Sequence, residues 1–547
     1  MIPRKQLVAI PRMVSRREFL ITTGAAAFLA ACGGGTVGTT GSGTTATSGA
    51  GTTVAGEGQR GGILRVGTLG GANDILDGQH IVSKADIARQ ATGWEPVLNF
   101  DPDFVPVNTY ALAEEVEVKA ADNYVIRLKE GVEFHDGKTL TAEDLIYSIN
   151  RLLDPDGALF GGSALRPILE SSGMTKLDDL TVEFQLLQDV ATFRELLCAY
   201  TTTVVPDGYE RFAGDASTQI GTGPFKLAEF EVGVQSVHVR HENYWNAPKP
   251  YFDEVHIIDF ADGDAINSAL LADQIDCIAD IAPTAVDPLT GGGMSILNSE
   301  GGGWLTITMA VDQEPFTDVR VRQAMRLIVD RELMLNQVLA GYGRVANDLY
   351  SPLDQCYIGN EVPQRAQDIE AARALLAEAG QSDLTIDLFA PNDTAGLPEM
   401  ITAFAEMARE AGVTVNPIVL DGGTYWGDEY LQRTFATSFW GTRSFLSQVA
   451  AGSLKDSAPF PEDHWPPEGS DFAEQYNAAL AETDDAARCE IQQEMQMELY
   501  EEGGHIIPFF QNTLDAFNPR LQGLVERPNT LNLDHFGRGF QELWFSE

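Results

Sequence analysis

The side chains that carry covalent chemistry are few and scattered in this chain, with eight histidines and five cysteines among 547 residues. No Gly-x-Ser-x-Gly elbow presents a serine nucleophile. No His-Glu-x-x-His pair offers a zinc site, and no Gly-x-x-x-x-Gly-Lys-Ser/Thr loop offers a phosphate cradle. His238 and His241 are close in sequence, but three residues apart on a strand they point to opposite faces. They are predicted to be surface residues rather than metal ligands. Asp154-Pro-Asp-Gly157 lacks the later oxygens and the closing glutamate of a calcium loop, and reads as a turn. Acidic pairs such as Glu114-Glu115 are expected by chance among 80 acidic residues. The residues therefore predict no catalytic centre, no metal and no cofactor. What remains is one thiol near the amino end and a binding surface.

That thiol is Cys32. Ahead of it stands Ser15-Arg-Arg-Glu-Phe-Leu20, a twin-arginine element, and then an apolar run that ends Leu29-Ala-Ala-Cys32. A basic start, a short apolar core and small residues before a cleavage point make an export signal. The core is about 13 residues, too short to cross a ~30 Å hydrocarbon layer comfortably. The cysteine after the small residues resembles a lipobox, which implies a mature chain that begins at Cys32 and carries lipid on its sulfur. Each buried methylene contributes ~0.8 kcal/mol, so two or more acyl chains anchor stably. The next stretch, to residue 60, is mostly Gly, Thr, Ser and Ala. It cannot bury enough apolar surface to offset its ordering entropy, and is predicted to be a flexible tether.

Composition bounds the rest. Five of the 36 basic and one of the 80 acidic side chains lie in the first 31 residues, which leaves a net charge near −48 on residues 32–547. Such a chain repels nucleic-acid phosphates and anionic lipid surfaces. The hydrophobic fraction of 44% is that of a globular protein. The length beyond the tether predicts more than one domain. Cys198, Cys277, Cys356 and Cys489 leave two readings open: two disulfides in one of three connectivities, or buried thiols.

The elements that must position any site alternate between strand and helix. Gly62–Gly67 and Tyr124–Lys129 alternate like strands, and residues 225–231 and 235–241 form a hairpin around Gly233. Thr141, with Asp144 three positions on, opens a helix that Asp154-Pro155 stops. Strand 256–260 is followed by a helix at 265–272. Strand 305–309 precedes a helix capped by Asp318, whose inner face is Val321, Ala324, Met325, Ile328 and Val329. Helices end at Gly380 and Gly412, strands follow at 385–389 and 413–419, and residues 472–502 read as one long helical stretch. The fold class is α/β in at least two lobes.

Several motifs then carry a family resemblance over nearly the whole mature chain. Ala111-Leu-Ala-Glu-Glu-Val116, Arg127-Leu-Lys-Glu-Gly-Val-Glu-Phe-His-Asp-Gly137 and Leu140-Thr-Ala-Glu-Asp-Leu-Ile-Tyr-Ser148 form a first block. Gly221-Thr-Gly-Pro-Phe-Lys-Leu227 with Asn243-Tyr-Trp245 form a second. Pro315-Phe-Thr-Asp-Val-Arg-Val-Arg-Gln-Ala324 with Val329-Asp-Arg331 form a third. In this order they resemble family 5 of the solute-binding proteins of ABC importers, the peptide, dipeptide, oligopeptide and nickel class. The resemblance implies a two-lobed, type II periplasmic-binding-protein-like fold with an extra subdomain in lobe 1. Lobe 1 is expected over 61–98, 218–309 and 512–547, the inserted subdomain over 99–217, and lobe 2 over 310–511. Crossings between lobes are expected near 260–262 or 309–312, and again near 509–512.

The resemblance further implies a monomer outside the cytoplasmic membrane, lipid-held at Cys32. It would close on a peptide or peptide-like solute and deliver it to permease and ATPase subunits. The alternatives are a solute-sensing surface receptor and a binder of anionic or glycosidic solutes. Members that take free peptides have an aspartate after a tryptophan-glycine pair, to hold the peptide ammonium. Here Phe439-Trp-Gly-Thr-Arg-Ser-Phe445 matches that stretch, with Arg443 and Ser444 where the acid would stand. An arginine repels a buried ammonium and offers a fork to carboxylate or phosphate. The expected ligand contacts are Arg443, Trp440 and Gly441, with Trp426 and Tyr425 as an aromatic wall and Asn73 from the loop after the first strand.

Overall fold

The computed structural model describes residues 58–71, 74–81, 83–101, 104–157, 159, 161–211, 214–427, 429–526 and 538–546. The export signal, Cys32, the tether up to residue 57 and Asn73 lie outside the described residues. A 12-stranded mixed sheet organises the protein. Ten of its strands are labelled here: β1 (Ile63–Leu69), β2 (Phe225–Glu231), β3 (Gln235–Arg240), β4 (Glu254–Phe260), β5 (Cys277–Ile278), β6 (Ser295–Met309), β7 (Thr385–Pro391), β8 (Thr414–Leu420), β9 (Phe435–Trp440) and β10 (Phe509–Phe517). Their spatial order is β8-β7-β9-β6-β10-β5-β1-β4-β3-β2.

The two long strands β6 and β10 join the halves. β6 pairs with β10 from Ser295 to Trp304, slips register between Ser299 and Gly303, and pairs with β9 from Trp304 to Met309. A register shift bends a strand and raises its local twist, which is what turning from one lobe into the other requires. The expected crossing near 260–262 is not one. β4 ends at Phe260, Asp262 caps the next helix through Ala265 N at 2.8 Å, and that helix, Gly263–Leu271, packs back on β1 and β4. Nor do residues 309–312 cross; the passage lies earlier, within β6 itself.

Each half has its own core. Around β1 and β4, Leu64, Val66, Val255, Ile257 and Phe225 pack one face, while Ile266, Leu270, Ile278 and Leu289 pack the other. In the other half Ile307, Met309, Leu388, Phe404 and Phe435 pack together. A separate four-stranded sheet, ordered Ala113–Ala120, Asn123–Leu128, Thr181–Gln185 and Met174–Lys176, carries the helix Ala142–Leu153. Its Thr141/Asp144 capping box forms as the spacing predicts. Leu145, Ile149 and Leu152 are buried beside Tyr124, Ile126 and Phe184.

The motif residues are scaffold. His135 accepts a hydrogen bond from Gly221 N at Nδ1 (3.2 Å) and contacts Gly223 O through Nε2 (3.1 Å), which fastens the first motif block to the second. In the third block Arg322 donates to Glu502 O (2.7 and 2.9 Å) and Arg326 to Tyr500 O and His505 O (3.0 and 2.9 Å). These arginines satisfy the last carbonyls of the helix Asp485–Glu502, where cations are favoured. Burial lowers Arg326 to about 9.

Three details differ from the sequence reading. The stretch 472–502 is two helices, Phe472–Ala481 and Asp485–Glu502, because Asp484 accepts from Ala487 N (2.9 Å) and starts a new one. His238 and His241 are buried, not on the surface. His238 contacts Ser236 Oγ (3.1 Å) and His241 Nδ1 contacts Gly223 O (3.2 Å), and burial lowers the pKa of both. The cysteines split between the two readings: Cys356 and Cys489 form a disulfide, whereas Cys198 and Cys277 are buried thiols. Joining positions 133 residues apart removes about 4–5 kcal/mol of chain entropy from the unfolded state.

Candidate functional site

Strand direction locates the cleft. β1 runs parallel to β4 and β5, and β5 runs antiparallel to β10, with Cys277 opposite Phe517 and Ile278 opposite Ala516. The carboxyl ends of β1, β4 and β5 therefore point along β10 toward Gln511. In the other half β7 and β8 run parallel to β9, and Trp440 at the end of β9 stands opposite Trp304, next to the same crossing. Both halves thus aim the carboxyl ends of their parallel strands at β6 and β10, the position where open α/β sheets bind ligands. On the first side a cavity of about 510 Å³ opens among Leu69, Lys84, Asn267, Ile278, Asp280 and Ile281.

On the second side lie Trp440, Gly441 and Arg443, at the end of β9 and in the loop that follows it. Thr442 fixes the turn: its Oγ1 accepts from Gly302 N at 3.0 Å, tying the loop after β9 to the bend in β6. A side chain at Gly441 would meet nothing within 4 Å, so this position opens into free space. The Trp440 indole is only 7% exposed. It stacks on Trp304 (centroids 6.2 Å, planes 23° apart) and meets Phe460 edge-on at 6.1 Å. The Arg443 guanidinium carbon lies 4.9 Å from the Trp440 ring centre. A cation over an indole face is worth ~0.5–2 kcal/mol and leaves the N–H fork free to donate. Among the described residues Arg443 has no hydrogen-bond acceptor and no carboxylate within 4 Å. Burial lowers its pKa, while Tyr200 and Glu462 act in the opposite sense. Trp440 is therefore a platform for Arg443 more than an open wall.

Glu462 is the residue that sequence reasoning missed. It is 7% exposed. Its Oε1 accepts from Ser438 Oγ (2.5 Å) and from the Tyr430 hydroxyl, and its Oε2 accepts from Trp440 Nε1 (2.9 Å). Burial pushes its pKa up to about 7, against the three donors. Nothing in the segment Pro461-Glu-Asp-His-Trp465 distinguishes this acid from the others, since its partners come from 22–32 residues away.

The remaining expected contacts separate. Trp426 lies at the rim, edge-on to Phe439 (5.8 Å) and Tyr430 (4.9 Å), with its indole nitrogen 3.3 Å from Asp393 Oδ1. Phe439 beside it is 50% exposed. Tyr425 is a correction: it is fully buried, and its hydroxyl donates to Thr437 O (2.6 Å) and accepts from Thr437 N (3.0 Å). It braces β9 from below and is no part of a wall. Asn73 lies outside the described residues. Its neighbour Asp74 is buried against Arg89 at 3.1 Å.

A third group reaches the loop after β9 from the segment that follows strand Thr181–Gln185 of the four-stranded sheet. Glu195, on the short helix Phe193–Leu196, accepts from Ser444 Oγ, one residue beyond Arg443. Ala191 N donates to Leu480 O at 2.7 Å. Burial raises Glu195 to about 7, and Asp354 nearby adds to the shift.

The chain belongs to the family described as "Bacterial extracellular solute-binding proteins, family 5 Middle", which matches residues 109–452, more than half of its length. It is 26% identical over 463 residues to heme-binding protein A of Haemophilus influenzae, covering 76% of this chain and 82% of that one. It is also 26% identical to the periplasmic oligopeptide-binding protein OppA of Escherichia coli, over 78% and 83% of the two chains. Among solved structures, the substrate-binding protein CtaP of Listeria monocytogenes superposes with a TM-score of 0.77 at 20% identity, covering 89% of this chain and all of that one. The architecture is the two-lobed α/β fold of type II binding proteins, and members of the family bind solutes outside the cytoplasm. Among the described residues no helix is long and apolar enough to cross a membrane.

Proposed function

We propose that this chain is the capture subunit of an ABC importer. It closes its two lobes on a peptide-like solute at the strand ends beside β6 and β10, and hands it to a membrane permease without chemical change. The observation that carries the reading is Arg443: a half-buried guanidinium, laid on Trp440 and lacking a carboxylate partner among the described residues. A folded protein seldom leaves such a charge uncompensated. An incoming carboxylate or phosphate satisfies it, and a free peptide ammonium does not. The solute therefore presents an anionic or blocked end here. Trp426 and Gly441 complete this side of the cleft, and Asn73, outside the described residues, is proposed as a further contact. The subdomain boundaries, the monomeric state, export through the twin-arginine signal and lipid anchoring at Cys32 belong to the same proposal. An anchor and a tether of about 25 residues keep the trap near its permease at raised effective concentration.

The test is retention of a randomised tripeptide-amide pool, N-acetylated, N-succinylated or with a free amine, read by mass spectrometry. Small-angle scattering is recorded alongside. The succinylated members should be enriched and the particle should contract on binding. Enrichment of free-amine members would contradict the anionic assignment.

A further inference from the structure

Glu462 touches the platform on which Arg443 rests. Its Oε2 accepts the Trp440 indole N–H at the ring edge (2.9 Å), while the Arg443 guanidinium lies over the same ring, 4.9 Å from its centre. Its Oε1 gathers Ser438 of β9 and Tyr430 of the turn Tyr430–Gln432, whose ring packs at 4.9 Å on Trp426. One buried carboxylate thus orients both tryptophans of the site, the one under Arg443 and the one at the rim.

We propose that Glu462 is the positioning residue of the Arg443 site, and that it takes up a proton when an anionic group of the solute settles on Arg443. The inference rests on the reading of Arg443 as the anion contact. Its physical basis is charge. A carboxylate at the edge of the indole and an anion held by the guanidinium over its face repel each other through a poorly screened interior. Neutral Glu462 removes the repulsion and still accepts from Trp440. The charged and titratable groups around Glu462 are Asp463 on its own loop, Tyr430 and Tyr425 from the segment before β9, and Arg443 after it. Asp463 pushes Glu462 toward its neutral form, and Ser438, Tyr430 and Trp440 hold it in the charged form. The free protein therefore stands near the midpoint, about 7, where a bound anion tips it.

By linkage, anion affinity is highest below about pH 7 and falls as pH rises through it, by up to about tenfold per pH unit. The probes are the N-succinyl and N-acetyl tripeptide-amide pools, titrated between pH 6 and 8.5 against the full chain. In the wild type only the succinyl pool should show the loss of affinity above pH 7. Glu462→Gln keeps an acceptor for Trp440 and cannot ionise, so it should bind the succinyl pool with a flat profile, near the wild-type affinity at pH 6. Glu462→Ala, which frees both tryptophans, should weaken binding at every pH. The indole Nε1–H resonance of Trp440, assigned with Trp440→Phe, should titrate near 7 in the wild type and not in Glu462→Gln. An unchanged pH profile in Glu462→Gln, or a Trp440 resonance that does not titrate, overturns the proposal. Failure of the wild type to prefer the succinyl pool at any pH overturns instead the anion reading of Arg443, and this inference with it.

Discussion

Two arginines lie against aromatic rings on opposite sides of the cleft, and they are treated differently. Arg89, in the helix Lys84–Gly93, sits 5.0 Å from the Phe230 ring centre and is fully buried. It is held by Asp74 (3.1 Å), Asp86 (3.6 Å) and Asp259. Arg443 sits 4.9 Å from Trp440 and has no carboxylate within 4 Å among the described residues. Arg89 joins the loop after β1 to β4, and its charge is consumed inside the protein. Arg443 ends a strand, and its charge faces the place where both sheets converge. Other arginines without a carboxylate partner, such as Arg322 and Arg326, donate to backbone carbonyls, whereas among the described residues Arg443 has neither kind of acceptor and stands at the cleft.

The contrast yields predictions in descending size. Arg89→Met should leave three buried carboxylates without their counter-ion and cost about 3–5 kcal/mol in urea unfolding. Arg443→Met, at equal loss of charge, should cost less, at most about 2 kcal/mol, because only the stacking on Trp440 is lost. Equal costs would erase the distinction between the two sites.

The next effect is on pH dependence. Glu462 has a folded pKa near 7 against about 4.3 in an unfolded chain. The folded state therefore binds the extra proton between these values, and stability falls as pH rises from about 4.5 through 7 and then levels. From pH 5.5 to 8 this one group accounts for about 2 kcal/mol. Unfolding midpoints of wild type and Glu462→Gln should diverge over that range, with the variant the flatter. Parallel curves would show that Glu462 does not titrate there.

The smallest effect concerns closure. Ser444→Ala removes the hydroxyl that reaches Glu195 across from the subdomain, worth about 1 kcal/mol. It should shift scattering profiles of the unliganded protein toward a more open form and leave the unfolding midpoint nearly unchanged. A midpoint drop without opening would make the contact a packing detail.

The elements were legible where local rules decide them. The Thr141/Asp144 capping box, the Asp318 cap and the glycines at 380 and 412 announce helix ends by chemistry within a few residues. The hairpin at Gly233 appears as the alternation predicts, its second strand ending at Arg240, one residue early. Legibility failed where a partner is distant. Glu195 meets Ser444 across 249 positions, and Glu462 is one acid among 80 until β9 delivers Trp440 to it. Tyr425 and Trp426, adjacent in sequence, go to opposite fates because Thr437 captures one hydroxyl while the other ring stays at the rim. The first crossing is displaced from 260–262 or 309–312 because a strand that bends in its middle looks, in sequence, like a short strand plus a glycine-rich turn at residues 301–303.

The central claim is that Arg443 selects the solute. It is tested most directly by purifying wild type and Arg443→Ala from the same cells and identifying what each retains by mass spectrometry. The wild type should carry a solute with a carboxylate, phosphate or blocked amino end, and Arg443→Ala should have lost it while remaining folded. Retention of the same free-amine peptide by both proteins would contradict the account.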